Sequence, residues 1–457
     1  MEQNGFLKFK LALILVLAYF TASTILQWLF ILQYQLSTLP KGFYDDQFEA
    51  VAEAFRQNFE KGLEREGAHL TIIQNGKVVV NLWNGYSDSE SLREWTQNTK
   101  TILFSTTKAI AALCLAIQVD RGRLSYDDLV VKYWPKYGQY GKHLTTIEDV
   151  LTHKAGIPYL ENITIADMAN EKEIMKKIEE ASPLWKPGTA TGHLLQLKKL
   201  NNFFFLINKI LYHALTFGWL VDGIFRRVDE KGRSIKTFLQ EEIADKYGIG
   251  ITVGLTKQEF KNLARITQPG LLEYARDILM DLRVITMLAI IYAQPSNSLA
   301  ARIRIHSSWL LLNFVKIYFF ENDTVALNDP NIIELNMPAI TGISDAFNLA
   351  KLFSLAIDGT LLTNRTLKQI IQPTIVNWHL EKVFLYPFVK GRGFFFEKHP
   401  LNRNSYLFGH PGYGCQALDI DFDNKLVIAY LSNGLKTGSS KICKTYQSIL
   451  RSLYRSL

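Results

Sequence analysis

Ser105 and Lys108 stand three residues apart in the stretch FSTTKAIAALCLAIQVD, residues 104–120. On a helix, residues at that spacing share a face with about 5–6 Å between their Cβ atoms. In the first helical turn, free N–H groups and the helix dipole favour a developing alkoxide on the serine. A lysine buried among apolar groups is pushed toward its neutral form and can accept the serine proton. Together they describe a hydroxyl made nucleophilic without a histidine. Serine and threonine also gather at helix starts for backbone reasons alone, so the pair acquires meaning only from its surroundings.

Those surroundings begin with the helix itself. Residues 105–120 are apolar nearly all round and close at Arg121-Gly122, the pattern of a buried helix. Before it, HLTIIQNGKVVVNLWNG (69–85) reads as two strands joined by Asn75-Gly76, the preferred two-residue hairpin turn. Strands return near the other end in GRGFFFEK (391–398), CQALDIDF (415–422) and KLVIAYLS (425–432), the last two meeting at Asp423-Asn424. Residues 439–454 read as a final helix, and 123 to about 370 as mainly helical. Strands at both ends need partners, which predicts an α+β fold with one antiparallel sheet built from the two termini, flanked by helices, and a largely helical region inserted. The sheet part covers about 45–104 and 375–457 and the helical part about 105–374.

Hydrophobic residues make up 48% and charged residues 21% of the 457, enough for a large core and too apolar for disorder. The net charge of +8 is spread along the chain with no basic run interleaved with aromatics, so a nucleic-acid partner is not expected. Leu11–Leu32 is an uncharged stretch of bilayer-spanning length; Lys8 and Lys10 precede it and Asp45, Asp46 and Glu49 follow. The expectation is a membrane anchor within residues 1–38, with a short cytosolic tail and residues 39–457 on the lumenal or extracellular side. A cleaved signal (secreted protein) and a mitochondrial presequence are the alternatives. Sequons at Asn162, Asn322 and Asn364 fit that side. Cys114, Cys415 and Cys443 are too few for a disulfide framework and lack zinc-site spacing, and none reads as the nucleophile. No phosphate loop or metal cluster is present in the sequence, and no cofactor is expected.

With these residues in place the sequence resembles the serine β-lactamases and penicillin-binding DD-peptidases, closest to the class C β-lactamases, the family VIII carboxylesterases and the animal β-lactamase-domain proteins. The resemblance runs from about residue 45 to 435 and rests on FSTTK, on IEDVLTHKAGIP (147–158), on PLWKPGTATG (183–192) and on FGHPGYG (408–414). It implies that Ser105 is the nucleophile, that Lys108 and Tyr212 share its proton, that the N–H groups of Ser105 and Tyr413 form an oxyanion hole, and that His410 and Gly412 line the substrate side. The family's tyrosine follows the Pro-Gly turn within a few residues, whereas Tyr212 comes after the apolar and basic block HLLQLKKLNNFFFLINKIL (193–211). That block is therefore expected as an inserted excursion at the site's rim.

Two departures bear on substrate. Ala214 stands where class C enzymes carry an asparagine that binds a β-lactam amide, and His410-Pro411-Gly412 stands for their Lys-Thr-Gly. A literal Lys436-Thr437-Gly438 lies beyond the last hairpin and is expected as a solvated turn. His153 is expected to hold a loop through hydrogen bonds, and Phe217 to Leu220 to be core. The implied activity is that of a serine hydrolase on small ester or peptide-like substrates; a non-catalytic scaffold of the same fold is the rival reading.

Overall fold

The computed structural model describes residues 39–457 apart from 158–159, 161–162, 184, 189–203, 271–272, 274–275, 278–325, 377–388, 403 and 437–441, with 204–214 described as backbone only. Of the N-terminal apolar stretch only Ala18, Thr21, Ala22 and Ile25 are described, all helical. The expected anchor thus falls largely outside the described residues, and among those residues no helix is long and apolar enough to cross a membrane.

The Asn75-Gly76 turn forms as its sequence requires: both residues have positive φ, 50° and 77°, and they join β2 (Ala68–Gln74) to β3 (Lys77–Asn84). Ahead of them β1 (Lys41–Tyr44) and helix α1 (Glu49–Glu60) open the domain. Helix α2 (Thr107–Asp120) follows, with β4 (Thr101–Ile102) just before it. The middle of the chain contributes helix α3 (Phe204–Val228), β5 (Thr252–Val253), β6 (Gly342–Ser344) and helix α4 (Ala346–Ile357). The C-terminal part supplies β7 (Val389–Gly391), β8 (Phe394–Lys398), β9 (Tyr406–Gly409), β10 (Ala417–Asp421), β11 (Leu426–Ser432) and helix α5 (Lys444–Ser456). The main sheet runs β1-β3-β2-β11-β10-β9-β8-β7 and every pair in it is antiparallel, so the two termini do build one sheet. The GRGFFFEK segment is not one strand: Arg392-Gly393, both at positive φ, turns the chain between β7 and β8.

Both faces of the sheet are covered, which is why β11 is apolar without alternation. Ile428 and Tyr430 pack with Phe55 and Phe59 of α1 and Tyr446 and Ile449 of α5. Val427, Ala429 and Leu431 point the other way, into the core that holds Leu113 of α2 and Leu349 and Phe353 of α4. The helix read as buried all round is buried: every residue from Thr107 to Val119 is shielded from solvent.

Two expectations fail here. Lys436 is not in a solvated turn. It is buried, with Nζ 2.7 Å from Glu64 Oε1 and donating to Ser432 Oγ and the Gly434 carbonyl, both at 2.8 Å. Glu64, buried itself and also bound by Tyr430, needs a cation, and a partner 372 residues away leaves no local trace in sequence. Tyr430 belongs to the face covered by α1 and α5, and through Glu64 it ties Lys436 to that face. The cysteines, in turn, do pair: Cys415 and Cys443 form a disulfide with Cα atoms 5.7 Å apart, tying the loop after β9 to the start of α5, while Cys114 is a buried free thiol.

Closing a loop of this size (sequence separation 28) removes roughly 3–4 kcal/mol of unfolded-chain entropy. The double substitution Cys415→Ala, Cys443→Ala should lower unfolding stability by about that amount in denaturant titrations. Non-reducing peptide mapping should yield one cross-linked peptide; three free thiols in the native protein would refute the pairing.

Candidate active site

Ser105 occupies a 3₁₀ turn, Phe104–Thr106, that feeds α2. The turn is tied on both sides. Leu103 N–H donates to the Gly342 carbonyl at 2.8 Å, and Gly342 N–H donates to Thr107 Oγ1 at 3.0 Å, which itself donates to the Phe104 carbonyl at 2.6 Å. Only glycine fits at 342, since a Cβ there would come within 2.5 Å of Thr107 Oγ1. Phe104 is held at φ +49°, a left-handed conformation that costs a non-glycine residue about 1–2 kcal/mol. The sequence gives no sign of this strained residue; the surrounding bonds impose it.

Lys108 Nζ lies 3.1 Å from Ser105 Oγ and donates to the Ala339 carbonyl at 3.1 Å. The lysine is 3% exposed, and burial holds its ammonium down to about 7 from an ordinary 10.5. A neutral amine beside a serine hydroxyl is an acceptor for its proton. Gly218 of α3 makes room for the Ala339 carbonyl's loop, because a Cβ there would meet Ala339 N at 2.6 Å.

The His410-Pro411-Gly412-Tyr413 loop reaches the same turn from β9. Thr106 Oγ1 donates to the His410 carbonyl at 3.1 Å, and a Cβ on Gly412 would meet the Leu103 carbonyl at 2.6 Å and Thr106 Oγ1 at 2.9 Å. Tyr413, half exposed, sets its ring edge-on to Phe104 with centroids 5.8 Å apart. The backbone of Tyr413 is thereby held against the turn that carries Ser105. His410 is buried, and burial first, then the charges of Lys108 and Lys390, push its imidazolium down to about 3, so the ring is neutral at any physiological pH.

An aromatic wall that no local pattern announces completes the site. Phe395 stacks on His410 with centroids 4.6 Å apart, His153 lies 4.9 Å from Phe217 and 6.4 Å from Phe395, and Lys108 Nζ sits 5.9 Å from the Phe217 centroid. His153 therefore does more than hold its own loop: at φ +63° it turns its ring between two site phenylalanines. Phe217 is buried as expected of core, yet it also faces the lysine. These residues come from segments around 153, 217 and 395, and only the tertiary fold joins them.

Ser105, Lys108, His410, Gly412 and Tyr413 are thus gathered at one place. Tyr212 lies on α3, and its side chain is outside the described residues. The block 193–211 is not wholly an excursion, because residues 204–211 form the first two turns of α3 continuous with Tyr212; 193–203 lie outside the described residues.

A family model described as Beta-lactamase matches residues 55–193 and 208–449, breaking within that same block. Esterase/beta-lactamase LipL of Mycobacterium tuberculosis is 31% identical over 204 residues, 45% of this chain and 42% of that protein, so the match spans less than half the length of the relative. A penicillin-binding protein homologue from Caulobacter crescentus superposes with a TM-score of 0.69 at 27% identity, over 92% of this chain and all of the other. A family VIII carboxylesterase does so with a TM-score of 0.70 at 23% identity, again over 92% and all of the two chains, and shows the same fold.

The buried amine has a thermodynamic signature. Between about 7 and 10.5 the unfolded chain binds a proton that folded Lys108 does not, so its stability rises with pH through that window, and at pH 7 the lysine costs about 4 kcal/mol. Lys108→Met should therefore be more stable than the parent at pH 7, with the difference shrinking by pH 9–10 in denaturant titrations. A parent–variant difference that does not change between pH 7 and 10 would show that Lys108 titrates alike in the folded and unfolded chain.

Proposed function

This chain belongs to the beta-lactamase family, and we propose that it is a serine hydrolase working through an acyl-enzyme on esters or amides. The observation that carries the reading is the 3.1 Å contact between Ser105 Oγ and a buried Lys108 amine. In this mechanism neutral Lys108 takes the Ser105 proton as Oγ attacks the substrate carbonyl. The oxyanion that develops is met by the N–H groups of Ser105 and Tyr413, a contribution of about 3 kcal/mol for each such donor in acyl-transfer sites. Lys108, now an ammonium, returns the proton to the departing alcohol or amine, with the Tyr212 hydroxyl as the second station. Water then attacks the acyl-enzyme carbonyl, and the same base accepts its proton and passes it to Ser105 Oγ as the acyl–oxygen bond breaks, releasing the acid and restoring the hydroxyl.

Esterase substrates suit the site better than β-lactams. Ala214 offers no side-chain hydrogen bond to a β-lactam amide, and a site that lacks such bonds discriminates weakly in favour of the ligand that needs them. Small acyl esters need only the nucleophile, the base and the oxyanion donors. A neutral His410 also gives a carboxylate less than a lysine ammonium would.

We further propose that residues 1–38 anchor the chain, with the hydrolase domain on the oxidising side of the membrane. The Cys415–Cys443 disulfide supports that side, since such bonds persist in oxidising compartments. A chain starting at residue 39 should be soluble and folded while the full chain partitions with membranes. Equal partitioning of the two would remove the anchor.

Fluorophosphonate should label Ser105 and a short-chain nitrophenyl ester should be turned over, with Ser105→Ala abolishing both and a chromogenic cephalosporin hydrolysed weakly or not at all. Because Lys108 acts as a base, kcat/KM should fall about tenfold per pH unit below about 7. Ester hydrolysis that survives Ser105→Ala would exclude the serine, and absence of both labelling and turnover would leave a binding scaffold.

A further inference from the structure

The His410 ring carries more information than its neutrality. Its Nδ1 lies 2.8 Å from the Pro411 carbonyl, and a carbonyl oxygen can only accept, so Nδ1 holds the ring's single proton. The other nitrogen, Nε2, is then a bare lone pair. It is buried and has no hydrogen-bond partner among the described residues. A buried acceptor left in that state is destabilising, and the cost is recovered when a donor arrives. The ring cannot swing away to solvent: Phe395 lies against its face, and its backbone carbonyl is bound by Thr106, the neighbour of Ser105.

Resting on the hydrolase reading above, we infer that His410 Nε2 is a specificity acceptor, so that this site selects esters or amides whose acyl part carries an N–H or O–H donor near the reacting carbonyl and disfavours those carrying a free carboxylate. A carboxylate set against Nε2 would face lone pair against lone pair inside an aromatic wall. Besides Lys108, the Lys390 ammonium on β7 also acts on His410 through its charge. It is paired across β8 with Phe395, whose ring stands 6.0 Å from Nζ and itself covers His410. Phe395 thus packs against both the ammonium and the His410 ring, and Lys390 has interactions of its own. N-acylamino and hydroxyacyl esters have the donor in the right chemical place; simple keto, alkyl and succinyl esters do not.

Three esters of nearly equal size test this on the full chain: N-acetylglycine methyl ester, methyl 4-oxopentanoate, in which CH₂ replaces the N–H, and monomethyl succinate, which carries a carboxylate. Rates of acid release are divided by each ester's hydroxide-catalysed rate to remove intrinsic reactivity. The parent should favour the amide-bearing ester over its ketone analogue by about tenfold in kcat/KM, and monomethyl succinate should be poorest. His410→Phe keeps the ring and removes the acceptor, and should erase the preference; His410→Gln places an amide oxygen where Nε2 was and should restore it. Should His410→Phe fail to fold, the parent's own ranking decides. Equal turnover of the amide and ketone esters by a protein whose Ser105 is labelled by fluorophosphonate would overturn this inference alone. Fast turnover of monomethyl succinate would assign the site to carboxylates through Lys390 and overturn it as well. Absence of Ser105 labelling with no turnover of any ester would bring down the hydrolase reading together with it.

Discussion

An amine held close to losing its proton inside the protein is the constraint from which the rest of this structure follows. Among the described residues Lys108 has two polar partners, a serine hydroxyl and the Ala339 carbonyl, and neither carries charge. In water such an amine would be charged more than a thousandfold over neutral at pH 7. Keeping it near balance requires that solvent be excluded on all sides and that no carboxylate approach. The helix that bears it is accordingly buried through every residue from Thr107 to Val119, which in turn demands a sheet on one side and helices on the others. The cost of about 4 kcal/mol estimated for the lysine is a sizeable share of the stability of an ordinary domain. Expanses of core such as the packing of Val427, Ala429 and Leu431 beneath α2 and α4 are what offset it.

The same molecule holds a control for this argument. Lys436 is also buried and also belongs to a Lys-Thr-Gly, yet its ammonium sits 2.7 Å from the Glu64 carboxylate. Burial pushes its proton off while Glu64 pulls it back, so the pair cancels charge locally and behaves as a brace between α1's exit and the end of β11. Lys108 has no such counter-charge among the described residues it bonds. What separates a base from a brace is therefore the second group in the pocket, and three letters of sequence do not specify it.

That difference marks how far the chain could be read unaided. Local signals carried well: Asn75-Gly76 fixed a hairpin, the unbroken apolar run after Ser105 fixed a buried helix, and the spacing to Lys108 fixed their contact. The His410-to-Tyr413 loop was legible through its resemblance to a known strand-end motif. Long-range relations carried poorly. The edge strand Lys41–Tyr44, the Cys415–Cys443 bond, the Glu64–Lys436 pair and the wall of His153, Phe217 and Phe395 each join parts of the chain whose own neighbours look ordinary. Phe104 is the sharpest case, since an aromatic residue at positive φ contradicts its own propensity and is held there by Leu103, Thr107 and Gly342 acting together.

The glycines show how those distant parts are brought close enough for chemistry. Gly342 lets β6 lie against Thr107, Gly412 lets the His410 loop lie against Leu103 and Thr106, and Gly218 lets α3 lie against the Ala339 segment. Each is a place where one methyl group would force its neighbours apart, backbone at Gly412 and Gly218 and the Thr107 side chain at Gly342, and each flanks a different wall of the Ser105 turn. A site that relies on a 3.1 Å contact between a hydroxyl and an amine tolerates little such movement, because the strength of a hydrogen bond falls steeply with distance. Substituting alanine at these three positions would displace a support rather than a reacting group. The position of Ser105 is therefore set as much by the residues that carry no side chain as by the serine and lysine themselves.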